Sequence, residues 1–291
     1  MSITAAMVKE LRERTGAGMM ECKNALVAAD GDMDAAAENL RKSGQAKADK
    51  KASRVAADGR VVIVTEGNRA VVVEVNSETD FVAKDENFVA FAEAVAAAAL
   101  ASGTTDVAAF AAEKLADGRS VETARTDLIA KVGENIGVRR IAVVESDGVL
   151  AHYTHGTRIG TIVAMQGGDE ELAHDVAMHV AASNPMCVDE SGVPAETLER
   201  ERRILTEQSE QSGKPKDIVE KMVTGRVNKF LKEITLLGQP FVKDPDVTVG
   251  KLLKGAGATV TAFVRFEVGE GIEKKQENFA DEVMKQIEAS S

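Results

Sequence analysis

The chain has no tryptophan, one tyrosine, five prolines and two cysteines among its 291 residues. So thin an aromatic supply leaves little for stacking bases or sugars, and it makes each of the nine phenylalanines worth inspecting where it sits in a polar setting. Cys22 and Cys187 stand far apart, with no C-x-x-C pair and no Cys/His spacing of a zinc finger. This excludes a disulfide framework and a structural zinc site and leaves two reduced thiols. Long apolar runs are also missing. The longest uncharged one, at 94–102, is alanine-rich and well short of the roughly 20 residues that span a bilayer. The opening Met1-Ser2-Ile3-Thr4 shows no basic segment followed by an apolar one, so the expected location is the cytoplasm, with no membrane partner.

Positive charge is scarce. Thirty-six Lys and Arg against 47 Asp and Glu give a net charge of −11 and a pI near 5.1. A phosphate backbone would be repelled, so no direct nucleic-acid partner is expected. The apolar matter is ample at 44% hydrophobic residues with 29% charged, which is the composition of a folded globular protein. The length suggests two or three modules rather than one core.

Apolar residues in the first 44 positions recur at helical spacing in three bursts: Ala5, Val8 and Leu11; Met19, Cys22, Ala25, Leu26 and Ala29; Met33, Ala36, Ala37 and Leu40. Thr15-Gly16-Ala17-Gly18 and Asp30-Gly31 interrupt them, which predicts a small three-helix unit. Gln45 to Arg54 is charged and lacks an apolar stripe, so it reads as a solvated linker closing a first domain at 1–54. Strands are expected at 60–65 and 70–75 around the Glu66-Gly67-Asn68-Arg69 turn, followed by a helix at 85–100. The same unit recurs at an offset of 89, where Gly59, Gly67 and Arg69 meet Gly148, Gly156 and Arg158 and a second helix runs over 170–182. Helical segments near 105–131 join the two.

Residues 195–237 read as two charged helical arms broken by Ser212-Gly213-Lys214-Pro215, with Ile218, Met222, Val227, Phe230, Leu231 and Ile234 as the apolar face of the second arm. A short helix at 249–253, a strand at 259–268, the Gly269-Glu270-Gly271 turn and a last helix bearing Phe279, Val283, Met284 and Ile287 complete the chain. The fold class is α+β. The expected divisions are 1–54, a first core part 55–147, a second core part 148–194 that resumes at 238–268, the hairpin 195–237 and a terminal module 269–291.

Catalytic patterns are absent from the sequence. Gly16-Ala17-Gly18 and Gly255-Ala256-Gly257 lack the third glycine and the strand–helix setting of a dinucleotide fingerprint, and there is no phosphate loop and no nucleophile elbow. Neither His152 with His155 nor His174 with His179 shares a face suited to a metal, so no catalytic residue, metal ligand or cofactor is expected. One stretch stands out: Asn76 to Asp85, a polar loop that carries Phe81 just ahead of a helix start. Phe81 is either a hydrophobic staple folded onto that helix or an exposed aromatic wedge on a strand–helix turn.

Four segments resemble the bacterial translation elongation factor Ts family: Leu11 to Met20 with Cys22-Lys23 behind it, Thr79-Asp80-Phe81-Val82-Ala83-Lys84, His155 to Gly160, and Arg265 to Glu273. The resemblance covers nearly the whole chain. It implies an N-terminal three-helix domain of ubiquitin-associated type, two related α+β core subdomains, an antiparallel coiled-coil hairpin and a C-terminal helical module. It also implies a guanine-nucleotide exchange factor whose partner is elongation factor Tu, GDP-bound and nucleotide-free, with a homodimer or two-to-two complex left open. By the same resemblance Thr79, Asp80, Phe81 and Val82 disturb the partner's Mg²⁺ site, and further contacts fall to Met19, Met20, Lys23, Val132, Gly133 and His155. Core packing is an equally good reading for Met19 and Met20. Many relatives carry Cys where this chain has Ser77, so no thiol acts beside the loop here.

Overall fold

The computed structural model describes residues 3–211 and 215–273. Three of the expected hairpin breakers, Ser212 to Lys214, and the expected last helix with Phe279, Val283, Met284 and Ile287 lie outside those residues. The first three helices are α1 (Ala5–Thr15), α2 (Met19–Ala28) and α3 (Met33–Lys51). Their ends obey local chemistry. The Thr4 hydroxyl accepts from the Met7 N–H and the Asp32 carboxylate from those of Asp34 and Ala35, while Gly16 closes α1 at φ 70°, a conformation glycine adopts without steric cost. Val8, Leu11, Cys22, Ala25, Leu26 and Ala36 form the small core they share. Ala5 and Met19, assigned to apolar faces by spacing, are exposed instead.

The linker expected at 45–54 is corrected. Helix α3 continues unbroken through Lys51, and its second half packs on α6 (Val121–Val132). Small residues made this invisible to periodicity: Ala48 is buried in the main core, and a Cβ on Gly44 would lie 3.6 Å from that of Ala130. One helix thus belongs to the three-helix unit at its start and to the core at its end.

Strands β1 (Asp58–Glu66), β2 (Arg69–Ser77) and β3 (Gly137–Glu145) form an antiparallel sheet in that order. The β1–β2 turn is Gly67-Asn68, with Gly67 at φ 58° as a primed two-residue turn requires. Strand β3 was not expected, because Arg139 and Arg140 interrupt its apolar alternation. Helices α4 (Glu86–Ser102), α5 (Val107–Phe110) and α6 contribute Phe88, Phe91, Val95, Phe110 and Ile129 to a core that also takes Val71, Val73 and Val75 from one face of β2.

The second unit repeats the plan. Strands β4 (Val149–His155) and β5 (Ile159–Gln166) lead into α7 (Glu170–Ser183), close to the 170–182 expected. Helices α8 (Ala195–Glu210) and α9 (Lys216–Ile234) then pack against each other as two arms. Their contact uses Val219, Val223, Val227 and Leu231, so only Val227 and Leu231 of the six expected residues are in it: Ile218 is exposed, and Met222, Phe230 and Ile234 are half-buried. The short hairpin β6 (Pro240–Phe241) and β7 (Asp244–Thr248), α10 (Val249–Gly255) and β8 (Thr259–Glu267) complete the order, with β8 pairing β5 to give the sheet β4-β5-β8. The repeated glycines have matching jobs. A Cβ on Gly59 would meet the Val75 carbonyl oxygen at 2.1 Å, and one on Gly148 the Met165 carbonyl oxygen at 2.3 Å.

The two sheets face each other. Val61, Ala70, Val72 and Val144 of the first meet Ile162, Ala164 and Phe266 of the second, and a Cβ on Gly160 would come within 2.5 Å of Val61. Each sheet carries its helices on the outer side, which buries β2 on both faces and places Glu74 at the junction. Its carboxylate accepts from Arg139 Nη1 at 3.1 and 3.2 Å, Asn76 Nδ2 at 2.9 Å and the Gly269 N–H at 2.8 Å, and Arg140 joins it while lying 4.2 Å from the Phe266 ring centre. Desolvation pushes the Glu74 carboxyl upward, but the bonds from Gly269, Asn76 and Arg140 outweigh it and hold the group below the usual carboxylate range. Among the described residues no helix is long and apolar enough to cross a membrane.

Candidate functional site

Strand β2 ends at Ser77, and the chain does not turn directly into α4. Ser77, fully buried, donates from Oγ to the Thr79 carbonyl at 2.9 Å and folds the backbone back on itself. A single 3-10 turn, Val82–Lys84, follows, and Asp85 caps α4 by accepting from the N–H groups of Asn87 and Phe88. Val82 packs on the core and Ala83 is buried. Phe81, between them and Asp80, points outward with 81% of its surface exposed. The staple alternative is therefore excluded and the exposed aromatic stands.

The base of the loop is tightly held. Glu134, just past α6, accepts from the Glu78 N–H at 3.1 Å and the Thr79 N–H at 3.0 Å on one oxygen, and from the Thr79 hydroxyl at 2.7 Å on the other. In return the Glu78 carboxylate accepts from the Asn135 N–H at 2.6 Å. Gly133, at φ 83°, ends α6 and lets the chain turn toward the loop. Lys51 at the end of α3 donates to the Gly133 carbonyl, Asn135 Nδ2 donates to the Arg54 carbonyl at 2.8 Å, and Arg54 pairs with Glu78 at 3.5 Å. Lys84 reaches Asp80 at 2.7 Å. That hydrogen bond and its charge hold the Asp80 carboxyl below its usual range, with a weaker pull from Arg158.

Arg158 lies in the turn between β4 and β5, which also approaches this end of the sheets. It pairs with Asp58 at 3.2 Å, while the Val61 N–H donates to the Thr157 carbonyl. Thr79 to Val82, Val132 and Gly133 are thus gathered at one end of the paired sheets, with His155 at the edge of that turn. Val132 packs partly on the core, and the exposed His155 shares a 3.2 Å hydrogen bond with Tyr153. Met19 and Met20 are 62% and 63% exposed, so core packing does not account for them. With Val8 they line a recess of about 430 Å³ whose rim carries Lys9, Arg12 and Lys23, and this forms a separate surface on the three-helix unit. Sequence reasoning missed Glu78, Glu134 and Asn135. One available signal was the acidic residue directly after a helix C-terminus, where the helix dipole disfavours negative charge.

Comparison with known proteins gives the family. The family model described as "Elongation factor TS" matches residues 78–270, beginning at the loop. The chain is 62% identical to elongation factor Ts of Thioalkalivibrio sulfidiphilus and 60% identical to that of Methylococcus capsulatus, in each case over the full length of both chains. It is also 60% identical to elongation factor Ts of Idiomarina loihiensis, over all of this chain and 99% of the relative. Matched along its whole length at this identity, the chain belongs to the elongation factor Ts family, a family of translation elongation factors.

Proposed function

We propose that this chain is the guanine-nucleotide exchange factor of elongation factor Tu, binding its GDP-bound form and promoting GDP release so that GTP can load. The observation that carries the reading is the exposed Phe81 on a fixed base, an apolar side chain left open to solvent among the described residues. Phe81 acts as a wedge between partner helices, Asp80 and Thr79 shape its base, and Val82 anchors the loop to the core. Nucleotide affinity in a GTPase rests on its phosphate loop and Mg²⁺, so shifting the elements that position the ion lowers that affinity. By linkage, a factor that binds the empty partner more tightly than the loaded one weakens GDP binding by the same ratio. No bond is made or broken, and no cofactor takes part.

The division of labour follows the chain. The three-helix unit of α1, α2 and the first half of α3 docks through Met19, Met20 and Lys23, the core delivers the loop with Val132, Gly133 and His155 beside it, and the hairpin of 195–237 offers a further arm. Each tenfold acceleration of release requires about 1.4 kcal/mol of transition-state stabilisation, so several contacts must contribute. The test is release of fluorescent GDP from elongation factor Tu, followed by stopped flow with catalytic amounts of this protein. Many-fold acceleration with turnover is expected. Release at the unassisted rate with micromolar factor present would remove the reading.

A further inference from the structure

Among the described residues Phe81 is 81% exposed, so the aim of its ring depends on the loop base, and there one side chain dominates. We propose that Glu134 is the positioning residue of the Phe81 wedge, fixing the loop through the backbone N–H groups of Glu78 and Thr79 and the Thr79 hydroxyl. The inference rests on the exchange reading and names the part of the molecule that makes its wedge rigid.

Three observations carry it. First, both Glu134 oxygens are directed inward, one to two N–H groups and the other to the hydroxyl, so the carboxylate is engaged with the loop. Second, the clamp is reciprocal. Glu78 returns an acceptor to the Asn135 N–H, so two segments 55 or more residues apart in sequence each satisfy the other's backbone. Third, the place is a poor one for a carboxylate on local grounds. It follows the C-terminus of α6, where the dipole repels it, and Lys51 supplies the cation that such an end favours. The three loop donors give the charge its reason for being there. The duplicated unit offers a contrast: β5 passes to α7 through Gly167-Gly168-Asp169 alone, with no loop to clamp.

A loop released from its base populates the competent conformation only part of the time, and the lost fraction appears directly in the rate. Glu134→Ala is expected to lower the saturating rate of GDP release from elongation factor Tu about tenfold, with the half-saturating concentration changed less than about twofold because docking through α2 is untouched. Glu134→Gln should recover most of the loss, since its carbonyl can accept the two N–H groups while its amide donates to Thr79 Oγ1.

The decisive readout is the double variant. If Glu134 acts through the ring, Glu134→Ala adds nothing in a Phe81→Ala background; an equal further loss there would overturn the proposal, as would an undiminished rate in folded Glu134→Ala alone. Amide hydrogen exchange at Glu78 and Thr79 in the free protein should speed at least tenfold in Glu134→Ala, and unchanged protection would also overturn the clamp. That measurement needs no partner. If the wild-type chain failed to accelerate GDP release from elongation factor Tu, the exchange reading would fall while the clamp was still decided. Should Glu134→Ala melt without cooperativity, Glu78→Ala opens the clasp from the other side and is held to the same outcomes.

Discussion

Truncating Phe81 to alanine is expected to separate folding from the proposed function because of where the ring stands. With 81% of the residue exposed, only about a fifth of its surface is withdrawn from water in the free protein. Burying a whole phenylalanine is worth roughly 1.5 to 3 kcal/mol, so the folding cost of Phe81→Ala is about 0.5 kcal/mol. That lowers Tm by only about 1 to 2 °C in a chain of this size. In complex the same ring is expected to be a desolvated anchor, and removing such an anchor costs about 2 to 4 kcal/mol. If even half of that is realised in the transition state for release, the GDP rate falls about fivefold to thirtyfold. The assay is stopped-flow GDP release beside a thermal melt, with Phe88→Ala as the control. Phe88 is fully buried, so its truncation should cost about 3 to 5 kcal/mol of stability. A folded Phe81→Ala protein with undiminished exchange, or one whose Tm falls as far as that of Phe88→Ala, would refute the reasoning.

Two further outcomes concern the body of the molecule. Glu74→Gln removes the charge that Arg139 and Arg140 share between the sheets, and breaking a buried pair in this way costs about 3 to 5 kcal/mol, so Tm should fall by roughly 6 °C or more; a change under 2 °C in a melt at neutral pH would show that the junction does not depend on the carboxylate. His179 is buried, with Nε2 against Gln239 Oε1 at 3.0 Å and Nδ1 accepting from the Val242 N–H at 3.2 Å, and desolvation holds it below the usual histidine value despite the Gln239 bond. With the folded value depressed, the unfolded chain binds the extra proton first, so stability is full above the unfolded value near 6.5 and is lost as pH falls toward the folded one. Melts between pH 7.5 and 5 should show Tm falling, with a shallower slope in His179→Gln, and equal slopes would rule His179 out as the cause.

The features that could be anticipated from the sequence were those written locally. The β1–β2 hairpin announced itself through Gly67-Asn68 between valine-rich runs, and α4 and α7 through alanine-rich segments behind the acidic caps Asp85 and Asp169. What stayed hidden depended on partners far away. Gln45 to Lys51 looked like linker because its buried face is Ala48, and small residues mark contact with α6 by what they permit rather than by hydropathy. Arg139 and Arg140 masked β3 because their charges are satisfied by Glu74, sixty-five and sixty-six positions earlier. The loop was legible as an aromatic in polar company. Its clamp was not, since Glu134 is meaningful only once the fold brings α6 against the end of β2.

The duplication turns that loop from an oddity into an argument. Two units share a hairpin, paired glycines and a capped helix behind the second strand, so each is a control for the other. In the second, three residues suffice to pass from Gln166 to the cap Asp169, and Gly167 and Gly168 at φ 71° and 72° make the turn. In the first, the same passage from Ser77 takes eight residues, 78–85, the cap Asp85 included. The fold of the second unit does without the added length, and in the first the segment buries only Val82 and Ala83 while its one aromatic, Phe81, stays exposed. A segment that the second unit does without, yet the first fixes with six hydrogen bonds among Ser77, Glu78, Thr79, Val82, Glu134 and Asn135, is what the proposed partner-facing role requires. Grafting the short Gly-Gly-Asp connection in place of residues 78–85 should accordingly leave both sheets paired while abolishing any effect on GDP release. Loss of the fold would show that the loop serves the scaffold instead.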